Sequence, residues 1–261
     1  MGSLPSPSST SSPKYTLHQA KTRAHMDTIL DIIWAANYSP YDPLIQLFFP
    51  IHGYDASAQH AAVTESKARF WDQHCNAPHG SSNWYYVSET ATGKAVGCAQ
   101  WEAHSENPFG KEEGKRIEAG WWPEGEYRAF CESVLEQVYR PRASWMGRGH
   151  LALNWMCVLP AYRGQGIGSL LMSAGVSRAD ALGLECWMEA TQMGKRLYEK
   201  HGFRSLVKIA FDMDRKDAGD LWRKAQHELT PPPVFAMWRP KLGVWEVKGR
   251  KVTRPWDLGV E

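Results

Sequence analysis

The chain has 261 residues, 43% hydrophobic and 22% charged, a balance that gives a globular protein material for a sizeable core. Thirty basic against 28 acidic side chains leave a formal charge of +2, so charge points to neither a nucleic-acid nor a membrane partner. Five scattered cysteines without C-x-x-C argue against a disulfide framework and fit a reducing, cytoplasmic compartment.

Ten histidines without H-E-x-x-H or finger-like spacing to cysteine speak against a metal site. No run approaches the ~20 apolar residues of a bilayer span, so no stable membrane association is expected. No G-x-S-x-G marks a nucleophile elbow.

The segment 1–13, MGSLPSPSSTSSP, lacks the apolar stretch of a signal peptide and reads as a disordered tail. Its start also fits M-G-x-x-x-[ST], which would make Gly2 a myristoyl acceptor. Lys14 to Ala20 alternates like a first strand. Met26, Ile29, Leu30, Ile33 and Trp34 then share one helical face over Met26 to Ala36. Pro40 and Pro43 punctuate an aromatic stretch, and a polar helix is expected over Ala56 to His74. NWYYVSET and KAVGCAQWEA read as two strands of a hairpin turned at ATGK.

Residues 107–149 read as an excursion inserted between sheet strands, with one helix from about Glu126 to Tyr139. Leu151 to Leu159 is an apolar strand closed by Pro160. A helix is expected from Ile167, with Gly183 as its C-terminal cap. LECWMEA is another strand. Thr191 then caps a helix to about His201, FRSLVKIAFDM is strand-like, and a charged linker from Arg215 to Pro233 leads to a last strand, VFAMWRP. An extension from about 240 to 261 carries the basic cluster KGRKVTR, expected as a solvated tail face. The whole reads as one α/β domain over 14–261.

Between the apolar strand and the helix at Ile167 lies Arg163-Gly164-Gln165-Gly166-Ile167-Gly168. A phosphate loop of the G-x-x-x-x-G-K-[ST] kind lacks its lysine and hydroxyl here, and a dinucleotide fingerprint lacks its third glycine. What is left is a glycine loop in which missing Cβ atoms at Gly164, Gly166 and Gly168 let a ligand approach. Successive N–H groups and a helix N-terminus can then meet a pyrophosphate, with the Arg163 side chain in support. A ligand-free glycine turn has the same local pattern.

A second motif follows in EATQMGKRLYEKHGF: Gly194, Leu197, Tyr198, Gly202 and Phe203. Together, VLPAYRGQGIGSLLM and G-x-x-L-Y-x-x-x-G-F closely resemble the GCN5-related N-acetyltransferase (GNAT) superfamily, over about Leu151 to Phe203. The resemblance implies a mixed, mostly antiparallel central sheet flanked by helices, with the helical excursion inserted before the cofactor-binding strand. It implies an enzyme that takes acetyl-CoA as co-substrate and acetylates an amine directly.

Carried over position by position, the pyrophosphate would lie on the amides of Gly164, Gln165, Gly166, Ile167, Gly168 and Ser169. The pantetheine arm would lie along Cys157 and Val158, with Thr191 and Gly194 on the cofactor side of the next helix. An N–H near Met156 to Val158 would meet the oxyanion. Tyr198 matches the family's general acid, although packing over the cofactor is its alternative.

Some members hold a glutamate base on the central strand, eight residues before the loop junction. This chain has His150 there. Glu102 on the preceding strand is the rival, and ordered water serves many members instead. Cys157 could form an acetyl-cysteine, but on an apolar strand it fits packing better.

For the acceptor, the region after the first helix offers Trp34, Tyr38, Tyr41, Phe48, Phe49, His52 and Tyr54, with Asp42 and Asp55 nearby. Such rings and carboxylates suit a bulky organic cation or aryl amine as well as they suit a core. Trp121 and Trp122 are candidates for a lid or for a small cluster of the excursion's own. The expectation is a small-molecule amine acceptor. A protein or peptide amine and a non-catalytic acyl-CoA sensor are the rivals. Monomer and homodimer are not distinguished.

Overall fold

The computed structural model describes residues 13–110, 117–247 and 249–258. The Gly2 pattern, most of the N-terminal tail and Lys248 of the basic cluster lie outside the described residues. Seven strands form one sheet in the order β1-β2-β3-β4-β5-β7-β6. They are β1 (Tyr15–Gln19), β2 (Ser82–Glu89), β3 (Ala95–His104), β4 (His150–Val158), β5 (Glu185–Ala190), β6 (Arg204–Ile209) and β7 (Val234–Arg239). Neighbours run antiparallel except β4 and β5, which are parallel.

One face of the sheet carries α1 (Arg23–Asn37) and α3 (Ala56–Asn76), with the short α2 (Pro43–Phe48) between them. Met26, Ile29, Leu30, Ile33 and Trp34 of α1 are all buried, as the helical spacing predicts. α2 is absent from the sequence expectation, which took Pro43 as punctuation. Pro43 instead occupies the first turn, where proline's missing N–H is harmless, and the Asp42 carboxylate caps Leu44 N and Ile45 N.

The excursion packs on the same face as α4 (Glu126–Trp145), which runs past its expected end at Tyr139 and through Pro141. Proline forfeits one helix hydrogen bond, yet the last turn stays helical, closed by Met146 N on Arg142 O (2.8 Å). The expected linker contains α7 (Asp220–Leu229), whose Trp222, Ala225 and Leu229 pack onto α4. Glu126 caps it from outside through Gly219 N (2.8 Å) and Trp222 N (3.2 Å).

The opposite face carries α5 (Ile167–Leu182) and α6 (Lys195–Lys200). α5 begins and ends where its glycines predict. It lies so close to the sheet that a Cβ on Gly175 would come within 1.9 Å of the Trp101 ring. α6 starts at Lys195 rather than after Thr191, because Thr191 to Gly194 is spent on a turn closed by Gly194 N to Thr191 O (3.2 Å).

Beyond β7, a hairpin of β8 (Glu246–Val247) and β9 (Arg250–Lys251) exposes Arg250 and Lys251 and buries Val252. The basic cluster is therefore not solvated along its whole length.

Candidate active site

The central irregularity of the sheet defines the site. β4 pairs with β5 only from His150↔Glu185 to Leu153↔Met188. At that point β4 also bulges: Trp101 faces Leu153 and Gln100 faces Trp155, leaving Asn154 unmatched on β3. From Asn154 to Val158 the β5-side edge of β4 has no strand beside it among the described residues. An extended ligand can add there as a strand would.

β4 leads into the glycine loop. Gly164 and Gly166 hold φ of 76° and 84°, left-handed values that favour glycine, and a Cβ on either would meet nothing within 4 Å. α5 then starts with no side-chain cap, whereas Thr22, Asp42 and Asp55 cap the first three helices. Loop amides and an uncapped helix N-terminus thus share one open cradle suited to an anion.

Its side chains are engaged elsewhere. Gln165 Oε1 accepts from Lys14 Nζ (2.7 Å) and Tyr15 Oη (2.6 Å) on the β1 side. Arg163 donates to Val158 O (3.1 Å) and Ala36 O (3.2 Å), so its guanidinium ties β4 to the end of α1 instead of facing the cradle. Gly168 departs from expectation as well. A Cβ there would lie 2.7 Å from Leu197, so its smallness serves the contact of α5 with α6 and not a ligand.

Tyr198 is buried on α6 with its ring against Gly194, where a Cβ would come 2.7 Å from the hydroxyl. Burial, reinforced by the nearby Cys157 thiol, pushes its pKa up, so the phenol stays a proton donor. Cys157 lies directly opposite Cys98 on β3 and accepts from Asn37 Nδ2 (3.3 Å). The hydrogen bond from Cys98 holds the Cys157 thiol below its usual range, and burial pushes Cys98 well above. Thr191 is exposed at the end of β5.

Across the sheet, beside the bulge, is a cleft of about 370 Å³. Phe48, Phe70, Trp121 and Trp155 provide its rings, and Arg69, Gln100, Glu102, Arg142 and Asn154 its polar groups. Its charges are nearly all matched. Arg69 pairs with Glu65 (2.8 Å), and the Arg142 guanidinium is bound by both oxygens of Glu189. Glu102 forms no direct salt bridge among the described residues, although the Arg142 guanidinium and the His104 ring act on it through space. It accepts from Asn154 Nδ2 (2.7 Å) through Oε2.

The expected site residues divide accordingly. Glu102, Phe48 and Trp121 reach the cleft. His150 does not. It sits at the opposite, paired end of β4 beside His104 (ring centroids 4.9 Å apart), fully buried, with Nδ1 bonded to Arg148 O at 2.7 Å. Burial depresses its pKa to about 4.

Trp34 and Phe49 are core residues, and the indole of Trp34 donates to Ser66 Oγ (3.0 Å). Tyr38, Tyr41 and Tyr54 line a separate depression of about 410 Å³ with Asp55. Tyr41 donates its hydroxyl to Phe49 O. Asp42 and Asp55 serve as helix caps. Trp122 donates to Leu47 O (3.0 Å) and packs on His52 and Tyr127.

Arg69, Gln100, Arg142 and Asn154 were not anticipated. The one signal was Asn154, a lone amide in the apolar run LALNWMCVL.

Residues 125–205, from the start of α4 to the start of β6, match the family model of the acetyltransferase (GNAT) domain. An uncharacterised N-acetyltransferase of Schizosaccharomyces pombe is 31% identical over 85 residues, 33% of this chain; the chain spans only 35% of that relative's length. A Corynebacterium glutamicum protein described as histone acetyltransferase HPA2 and related acetyltransferase superposes with a TM-score of 0.51 at 21% identity, covering 88% of this chain and 97% of that one. A mosquito arylalkylamine N-acetyltransferase-like protein (5b) gives 0.54 at 15% identity, with 86% and 99% covered. At these identities the likeness is one of fold: a seven-stranded, mostly antiparallel sheet flanked by helices.

Proposed function

We propose that this chain, whose residues 125–205 match the acetyltransferase (GNAT) domain, transfers the acetyl group of acetyl-CoA directly to the amine of a small, apolar-bodied molecule. The observation that carries this reading is the cleft at the β4 bulge. Its volume of about 370 Å³ lies in the range of small-molecule sites, and Glu102 is a carboxylate in its lining without a direct salt bridge among the described residues. A cationic head beside Glu102 and a body among Phe48, Phe70, Trp121 and Trp155 would satisfy both features.

Acetyl-CoA supplies an activated acyl group and a thiol leaving group. The chain's own residues then have distinct tasks. Amides from Gly164 to Ser169 and the start of α5 hold the diphosphate, and the open edge of β4 holds the pantetheine arm. A main-chain N–H between Met156 and Val158 faces the developing oxyanion. The Glu102 carboxylate takes the proton from the ammonium, leaving a nucleophilic amine. As the C–N bond forms and the C–S bond breaks, Tyr198, kept protonated by burial, donates to the departing thiolate, and the second proton shed by the acetylated nitrogen restores the phenol.

The test is thiol release from acetyl-CoA across a panel of aromatic monoamines, polyamines and peptides. We expect turnover with aromatic monoamines, lowered about 100-fold in kcat/KM by Glu102→Gln. Turnover confined to peptides would replace the acceptor assignment. Tight acetyl-CoA binding with no turnover would favour a sensor.

A further inference from the structure

The residues behind Glu102 form one connected chain across three strands. Glu189 on β5 binds Arg142, whose Nη1 donates to Asn154 Oδ1 (3.0 Å); Asn154 Nδ2 donates in turn to Glu102 Oε2 (2.7 Å). The direction of the amide is fixed by chemistry. A guanidinium only donates and a carboxylate only accepts, so the oxygen of Asn154 must face Arg142 and its nitrogen Glu102. Trp187 Nε1 anchors the far end on Glu189 Oε1 (2.6 Å). The Arg142 and Glu189 side chains are 7% and 8% exposed, so this pair is shielded from competing water.

Two features make this more than a structural brace. Asn154 is the bulge residue, and Glu189 is the first β5 residue beyond the last pair with β4. Arg142 therefore bridges the two strands where they part. Only one oxygen of Glu102 is engaged by Asn154. Its other oxygen has no hydrogen-bond partner among the described residues and is left for an acceptor in the cleft.

We infer that Asn154, oriented by the Arg142–Glu189 pair, is a positioning residue that holds the Glu102 carboxylate facing the cleft. The inference rests on Glu102 as the proton acceptor proposed above. In the step concerned, an acceptor N–H bond breaks, its electron pair stays on nitrogen, and the proton passes to Glu102. The amide of Asn154 can stabilise the anion but cannot take that proton. The groups that share Glu102's surroundings are Arg142 and Tyr139 from α4, His104 on its own strand, Glu189 from β5 and Arg69 from α3.

The deciding variant is Asn154→Asp, which keeps shape and the bond to Arg142 but sets a second carboxylate against Glu102. The acidic limb of kcat/KM for the amine should then move up by at least about one pH unit, since two neighbouring carboxylates resist ionising together. KM for acetyl-CoA should stay unchanged. Arg142→Lys, which keeps the charge but loses the fork, should lower kcat about tenfold.

Carboxyl-carbon NMR reads the same titration without turnover, with the Glu102 signal identified by its loss in Glu102→Gln. An unmoved limb and an unmoved Glu102 titration in Asn154→Asp would overturn the inference. A Glu102→Gln enzyme of full activity would instead remove the base assignment on which it rests.

Discussion

Tyr198 turns one hydroxyl into a dependable proton donor by simple means. Its ring lies on Gly194, where no side chain intervenes, and the surrounding apolar core disfavours the phenolate. Tyr198→Phe keeps the ring packing and removes only the hydroxyl. Single-turnover and steady-state assays should show kcat reduced about 100-fold, with the Kd for acetyl-CoA within about twofold of the parent. An unchanged kcat would assign Tyr198 to packing alone.

At the scale of elements, the glycine loop and α5 form a cradle whose binding atoms are all main chain. Gly166→Glu would force a side chain onto a left-handed residue (φ 84°) and place a negative charge in the open space above it. Calorimetric titration should find acetyl-CoA binding lost, by at least about 100-fold, with the circular dichroism of the folded protein kept. Retained affinity would mean that the diphosphate lies elsewhere.

These same elements were the ones legible in the sequence. A helix opened by Gly166 and Ile167 and stopped by Gly183 writes its signals within one short window. The strands beside it alternate or run apolar as their burial requires. α2 and α7 were hidden because Pro43 and the charges between Arg215 and Pro233 have ordinary meanings in loops. Only the packing of Trp222 and Leu229 onto α4 gives the latter a helical purpose. The site was half legible. Gly164, Gly166 and Tyr198 sit in local motifs, but the path from Glu189 through Arg142 and Asn154 to Glu102 joins residues far apart in sequence. No spacing rule connects a helix running past Pro141 to a bulge on β4.

For the molecule as a whole, the parallel pair β4–β5 has an open end and a closed one. The open end holds the cradle on one face and the cleft on the other. The closed end is locked by Arg148 on Glu185, where Trp238 Nε1 also donates (2.6 Å), and by Arg148 Nη2 on Pro255 O (3.0 Å). His150 lies within this lock, facing His104, with Arg142 and Arg148 adding repulsion to any proton it takes.

His150's folded pKa, near 4, falls below its ordinary value of 6.5, so the unfolded chain binds the proton first as pH drops. Stability is therefore complete above pH 6.5 and declines towards pH 4, by about 3 kcal/mol from this residue alone. His104, also lowered by burial, adds to the decline. Urea unfolding at stepped pH should record the fall. His150→Asn, which cannot titrate, should flatten most of it while leaving kcat at pH 7.5 within about threefold. A steep loss of kcat would return His150 to the list of bases.

The tether between the first strand and the glycine loop has a further consequence. Gln165 is gripped by Lys14, Tyr15 and the carbonyl of Ala161. The conformational entropy of the loop is thus given up when the chain folds and not when the nucleotide arrives. On the proposed assignment the cradle is held in place before its ligand arrives, and its affinity would depend on the integrity of an edge strand remote from it in sequence. If coenzyme A binds there as proposed, fraying of β1 would be felt as slack in its hold before any contact to the coenzyme itself had changed.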